Sequence, residues 1–371
     1  MLSQTKKQQN HRLSTLQSLY ISFLLFILTK TRTSFSFLHT TSTHHRHYHR
    51  RRHHHHIAVK NSITSRLIST PRLRKMSSIP PPSDSHSKES KQQCKLVDIG
   101  INLTHRALIK HWQEVIQRAI NVGVTKILLT GTSLKSSHQN LKLAHEWNTK
   151  QGTNLFCTVG VHPHDAKHFV TPATTTDGNF KKDETDARTT IDEMKDLLQN
   201  NPFAIAVGEC GLDYNRNFST RTDQITAFTE QVRLACELQM PLFIHEREAH
   251  ENLVQVLDKV EDEFGKLPPV VIHCFTGNLN EAQVYLSKGY YIGFTGTICK
   301  KERGAHLREL LPHVPLDKIM VETDAPFMGF QKTKYGRFSE PAHVVGVAEE
   351  ISKCHGISFE EVCKQTTKNA L

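Results

Sequence analysis

The chain has 371 residues and a formal net charge of +11, enough length for one large domain or two ordinary ones. The charge is unevenly placed. Residues 1–95 hold 17 of the 47 Lys and Arg but only Asp84 and Glu89 of the 36 acids, which leaves 30 bases against 34 acids in residues 96–371. The body is mildly acidic, so the high overall charge belongs to the tail and gives no ground for a basic binding face on the folded part. Eight scattered cysteines without a C-x-x-C pair exclude a zinc ribbon and a dense secreted disulfide scaffold, leaving reduced thiols.

Residues 1–93 read as a basic, low-complexity tail, disordered or removed by processing, in which nothing catalytic is expected. Poor in acid and rich in Ser and Arg, the tail fits an organellar transit peptide, which would send the chain to a plastid or mitochondrion. The apolar stretch 19–28 behind Lys6, Lys7 and Arg12 instead suits a signal-peptide core. It is too short for the roughly 20 residues of a bilayer span, so no membrane partner is expected. Met76 offers an internal start before the Pro- and Ser-rich residues 77–90, and that start would leave the protein in the cytoplasm or nucleus.

Residues 94–371 change texture to short apolar runs alternating with helix-period segments, the pattern of βα units and a parallel sheet. Strands are predicted at 95–100, 126–130, 156–161, 204–208, 242–245, 270–273, 291–294 and 318–322. Several are almost wholly apolar, as strands covered on both faces must be. Trp112, Val115, Ile116, Ala119 and Ile120 mark one amphipathic helix, and Phe228, Val232 and Ala235 another. The polar residues 171–190 read as an insertion after the third strand. Eight strands in this length predict an α/β fold, a (β/α)₈ TIM barrel, over a doubly wound sheet, since no glycine-rich phosphate loop follows the first strand.

In such a barrel the active site lies at the C-terminal ends of the strands. Those ends carry Asn102, His162 and His164, Glu209, His245, His273 and Asp324 in chain order. One imidazole at a strand end is ordinarily a satisfied structural group. Several polar groups converging on one rim would each carry a desolvation cost unless they had a ligand. Two imidazoles and two carboxylates, Glu209, His245, His273 and Asp324, form a mixed nitrogen and oxygen set suited to Mg²⁺, Mn²⁺ or Zn²⁺.

The stretches VDIGINLT, GVHPHDA, AVGECGLDYNRNFST, PLFIHEREAHE, VIHCFTG and MVETDAPF, in this order, resemble the strand-end motifs of the TatD-related metal-dependent deoxyribonucleases. The resemblance spans nearly all of residues 96–371. It implies that Glu209, His245, His273 and Asp324 hold a divalent metal cation, Mg²⁺ first. It further implies hydrolysis of DNA phosphodiester bonds, 3′→5′ and on single strands. Within that scheme Asp324 and Glu209 are the catalytic carboxylates, with Asp324 orienting the water and taking its proton. Asn102, His162, His164, Arg247 and Arg337 would contact substrate. His164 is equally a cap of its turn, and Arg337 reads first as a solvated loop residue. Glu322 is either an orienter of His245 or His273 or a buried acid paired with Arg.

Three departures from the family pattern stand out. Members with two full metal sites carry D-x-H-x-H on strand one, whereas this chain reads Asp98-Ile99-Gly100-Ile101-Asn102, so one ion site is expected to be weak or lost. Strand five continues His245-Glu246-Arg247 where relatives have His-Cys-Arg, and strand alternation points Glu246 away from the metal. The sequence closes on Asn369-Ala370-Leu371, a turn short of the relatives' apolar closing helix. Two other activities compete with the nuclease reading. One is ester or amide hydrolysis, as by a D-aminoacyl-tRNA deacylase. The other is a non-catalytic barrel that binds a partner. An acidic body predicts modest affinity for nucleic acid.

Overall fold

The computed structural model describes residues 94–152, 154–169, 189–330 and 338–371. The tail readings for residues 1–93, nearly all of the expected insertion and Arg337 lie outside the described residues.

Eight parallel strands run in chain order around one sheet: β1 (Leu96–Ile101), β2 (Val124–Leu129), β3 (Leu155–Val159), β4 (Ala204–Asp213), β5 (Leu242–Arg247), β6 (Val270–His273), β7 (Tyr291–Phe294) and β8 (Ile319–Val321). The described helices are α1 (Trp112–Asn121), α2 (Leu134–Gln151), α3 (Thr190–Asn200), α4 (Arg221–Leu238), α5 (His250–Phe264), α6 (Leu279–Ser287), α7 (Ala305–Leu310), α8 (Val344–His355) and α9 (Phe359–Ala370). The seam between β8 and β1 is tied just past the end of β8. Asp324 N donates to Gly100 O at 2.8 Å and Asn102 N to Ala325 O at 2.6 Å. The Asp98 carboxylate accepts from Thr323 N at 3.0 Å and bonds the Thr323 hydroxyl at 2.6 Å. This is the expected (β/α)₈ barrel.

The apolar periodicity places the helices as the sequence predicts. Helix α1 buries Trp112, Val115, Ile116 and Ala119, and α4 buries Phe228, Val232 and Ala235, against the strands. A separate apolar cluster of Val97, Ile99, Phe243 and Val271 packs beneath the polar strand ends, with Phe243 stacked on His273 at 4.4 Å. Ala370 of α9 touches this cluster, and α9 buries Val362, Cys363 and Thr366 against the barrel. Asn369 Nδ2 donates to Leu316 O and Ile319 O at 2.9 and 2.7 Å, and the Thr367 hydroxyl donates to Lys95 O at 2.8 Å. These bonds tie α9 to the starts of β1 and β8. All eight cysteines are free thiols, and no helix among the described residues is long and apolar enough to cross a membrane.

Strand β4 departs from the sequence reading, which ended it at 208. It runs on to Asp213, with an irregularity in its pairing to β5 between Val207 and Cys210. Gly208 and Gly211 adopt φ of +143° and +139°, conformations that side chains rarely reach. A Cβ at Gly208 would lie 2.2 Å from Phe243 O, and one at Gly211 1.9 Å from His245 O. The glycines therefore let two backbones approach and give the strand a bulge that re-aims its side chains. Gly211→Ala is expected to lower stability by about 3 kcal/mol, combining backbone strain with a clash against an immobile carbonyl. A urea midpoint equal to that of the parent protein would refute this account of β4.

Candidate metal centre

Glu209 sits within the β4 irregularity, and its backbone N–H donates past the end of β3 to Gly131 O, just after β2, at 2.8 Å. Its side chain is buried, and one oxygen, Oε1, faces three imidazoles. His273 Nε2 is 2.8 Å away, His245 Nδ1 3.0 Å and His162 Nε2 3.3 Å. Burial opposes the charge on Glu209. The neighbouring imidazoles nonetheless hold its carboxyl well below the usual range, so it stays a carboxylate.

Each of two imidazoles is backed by a second carboxylate on its far side. His273 Nδ1 lies 3.3 Å from Glu322 Oε2, and Cys274 N donates to Glu322 Oε1 at 2.5 Å. Glu322 is fully buried. A Cβ at Gly100 or Gly293 would come within 2.5 Å of its carboxylate, so both glycines leave it room. His245 Nε2 lies 3.4 Å from Asp213 Oδ2 and, though buried, completes no well-aligned hydrogen bond. A histidine with one nitrogen turned to a carboxylate and the other to a shared focus is the usual arrangement around a bound metal. Buried imidazole nitrogens converging on one carboxylate oxygen fit a divalent ion. The donor set Glu209, His245 and His273 therefore suits the group that the sequence implies.

His162 belongs to the same cluster by distance, since one ligand atom each from His162, Glu209 and His245 lie within 4.8 Å of one another. Its chemistry points elsewhere. The His164 backbone N–H donates to His162 Nδ1 at 3.1 Å, which makes Nδ1 an acceptor and leaves the ring proton on Nε2. Burial pulls the His162 imidazole down to about 4, against the pull of Glu209, so the ring is neutral and Nε2–H is a donor. That matches a hydrogen-bonding role better than ligation.

Asp324 follows β8 with φ of +49°, an uncommon conformation for a residue with a side chain. Asn102 Nδ2 donates to its Oδ1 at 2.9 Å across the barrel seam. Asn102, His162, His164, Glu209, His245, Arg247, His273 and Asp324 all line one pocket of about 440 Å³ at the C-terminal mouth. Of the expected site residues only Arg337, outside the described residues, is not placed there. Arg247 shares its strand face with His245, two residues earlier. Glu246 between them turns away and accepts from Ala249 N at 2.8 Å, as the alternation predicts.

Sequence reasoning gave no role to Asp213, Arg216 or Asp98. Asp213 accepts from His164 Nε2 at 2.9 Å and from the backbone N–H groups of Asn215 and Arg216, each at 2.9 Å. These donors hold it far below the ordinary carboxylate range despite its burial. The available signal was the period-two spacing of Glu209, Gly211 and Asp213, which is that of one strand face. Arg216 lines the pocket from the loop after β4.

An imidazole and carboxylate cluster at the C-terminal ends of a (β/α)₈ barrel defines a metallo-dependent hydrolase. The chain belongs to the TatD related DNase family, whose model matches residues 97–371. It is similar to the 3'-5' ssDNA/RNA exonuclease TatD of Shigella flexneri serotype 5b, 39% identical over 264 residues that cover 70% of this chain and 92% of the relative. The protein of the same name from Escherichia coli K12 is 38% identical over 264 residues, with the same coverage. A crystal structure of a hydrolase TatD family protein from Entamoeba histolytica matches with a TM-score of 0.64 at 25% identity, covering 75% of this chain and 97% of that one. The family read from the strand-end motifs and the barrel read from the alternating apolar runs both hold.

Proposed function

We propose that this protein is a 3′→5′ exonuclease acting on single-stranded DNA or RNA, with Mg²⁺ as the working ion and Mn²⁺ as a substitute. The observation that supports this reading most is Glu209 between His245 and His273, each histidine backed by its own carboxylate, in a family of DNases. Glu209, His245, His273 and Asp324 would hold the ion. A divalent cation there would lower the pKa of water to about 7 and polarise a phosphoryl oxygen.

The chain's own groups do the rest. Asn102 anchors Asp324 at Oδ1, and Asp324 takes the proton of the attacking water at Oδ2. His162 donates from Nε2 to the phosphoryl group, while Arg247 and Arg216 in the pocket wall neutralise its charge. His164 has its Nε2 engaged by Asp213, so it contacts substrate through the ring rather than through that nitrogen. Arg337 remains a proposed phosphate contact.

The test is digestion of single-stranded DNA and RNA oligonucleotides labelled at the 5′ end, with and without chelator. A ladder shortening from the 3′ end that needs Mg²⁺ or Mn²⁺ is expected. Cleavage of an aminoacyl ester with the oligonucleotides left intact would replace this reading with the ester hydrolase. Because Asn102 stands where an imidazole would help hold a second ion, Mn²⁺ titration calorimetry should give one tight site and a weak second at most. Two equally tight ions would mean that other residues replace the missing histidines.

A further inference from the structure

Two phenylalanines stand in water at the rim of the pocket. Phe218, in the loop after β4, is 56% exposed and packs edge-on against His164 with ring centroids 4.8 Å apart. Phe327, after β8, is 47% exposed, lines the pocket and packs edge-on against His105 at 5.3 Å. A single exposed apolar side chain is ordinary, and Phe264 at the end of α5 is one. The rim pair differs in two ways. Both rings contact residues of the same pocket, His164 and His105. Their parent strands, β4 and β8, are four apart in a ring of eight, which sets the rings on opposite sides of the mouth.

A phosphodiester joins two nucleosides, so a phosphate seated in this pocket beside His162, Arg216 and Arg247 sends one base to each side. We propose that Phe218 and Phe327 are stacking platforms for the two bases flanking the scissile phosphate, and that they select unpaired over paired strands. The inference rests on the exonuclease reading above and names what gives it its substrate preference. Every base offers a π face, so stacking tolerates any sequence. Neutral rings also suit a body whose net charge is slightly acidic and whose pocket neutralises few phosphates. In a duplex those faces are covered by neighbouring pairs and become available only after unstacking.

The experiment compares kcat/KM on a single-stranded oligonucleotide with that on the same oligonucleotide abasic at its last two 3′ positions, using the full chain and Mg²⁺ or Mn²⁺. The full chain should prefer the base-bearing strand, and Phe218→Ala and Phe327→Ala should each lower that ratio about tenfold or more. Phe218→Leu and Phe327→Leu keep apolar volume but lack a π face, and should lose the ratio likewise. Phe218→Trp and Phe327→Trp should retain it, and Phe264→Ala should leave it unchanged. The ratio is internal to each preparation, so partial misfolding or poor metal loading cancels. A parent ratio near one, or alanine variants with the parent ratio, would overturn the stacking assignment while leaving the exonuclease standing. Failure of the full chain to cut either strand with either ion would bring down the exonuclease reading and this inference with it.

Discussion

Replacing Glu209 with glutamine is expected to lower divalent-dependent cleavage by at least about 10³-fold while the protein still unfolds cooperatively, because the change removes charge and not core volume. The carboxylate is the common partner of His273, His245 and His162 at 2.8, 3.0 and 3.3 Å. An amide in its place offers a weaker oxygen to a hard cation and can turn its NH₂ toward the imidazoles. His273→Ala should act similarly. The two backing carboxylates provide a graded control. Glu322→Gln and Asp213→Asn leave every donor to the ion in place and weaken the groups behind His273 and His245, although Asp213→Asn also touches His164 and Glu322→Gln also touches Cys274 N, so each should cost about 10–100-fold in metal affinity. Isothermal titration with Mn²⁺ beside the cleavage assay separates the two classes. Parent-like turnover in Glu209→Gln would remove Glu209 from the centre, and an unaltered Mn²⁺ affinity in Glu322→Gln would remove the backing role of Glu322.

Much of this architecture is legible in the sequence, because hydrophobic periodicity reports burial directly. The expected β6 and β7 match the observed spans, and the other strands except β4 agree to within a residue or two at each end. β4 outruns its apolar stretch because Gly208-Glu209-Cys210-Gly211 carries two glycines and a charge, through which no apolar run extends. Only the carbonyls of Phe243 and His245, supplied by the neighbouring strand, show that the glycines serve close approach inside a longer strand. The site residues were visible as polar groups at strand ends, whereas their division of labour was not. The tautomer of His162 is set by the backbone N–H of His164, and no composition or spacing encodes it. Glu322 had two readings, and its contact with His273 at 3.3 Å selects the one in which it orients a histidine. Arg216 lies in a loop after β4, where no periodicity distinguishes it from a solvated arginine.

Asp98 was read only as the first letter of a strand motif, yet it is fully buried at the seam where β8 meets β1. Its Oδ1 accepts from Thr323 N at 3.0 Å and Gly100 N at 3.3 Å, and its Oδ2 lies 2.6 Å from the Thr323 hydroxyl. Asp98→Ala is expected to destabilise the barrel by about 3 kcal/mol, since it leaves these buried groups without a partner. Asp98→Asn keeps an oxygen for both N–H groups and gains an NH₂ that the Thr323 hydroxyl can accept. Burial pushes the Asp98 carboxyl up from 3.8 to about 8, against the hydrogen bonds from Thr323 and Gly100. The sign of the pH dependence follows. Between pH 4 and pH 8 the folded chain keeps a proton that the unfolded chain releases, so this group's contribution to stability falls by at most about 1.4 kcal/mol per pH unit. Asparagine has no proton to lose, so the stability of Asp98→Asn relative to the parent should rise steadily from pH 5 to pH 8. Urea unfolding of both proteins at pH 5, 6.5 and 8, with chelator present to remove any ion, measures that difference. A gap between parent and Asp98→Asn that stays constant across the three pH values would mean that Asp98 is ionised in the folded barrel, held as a carboxylate by its three donors.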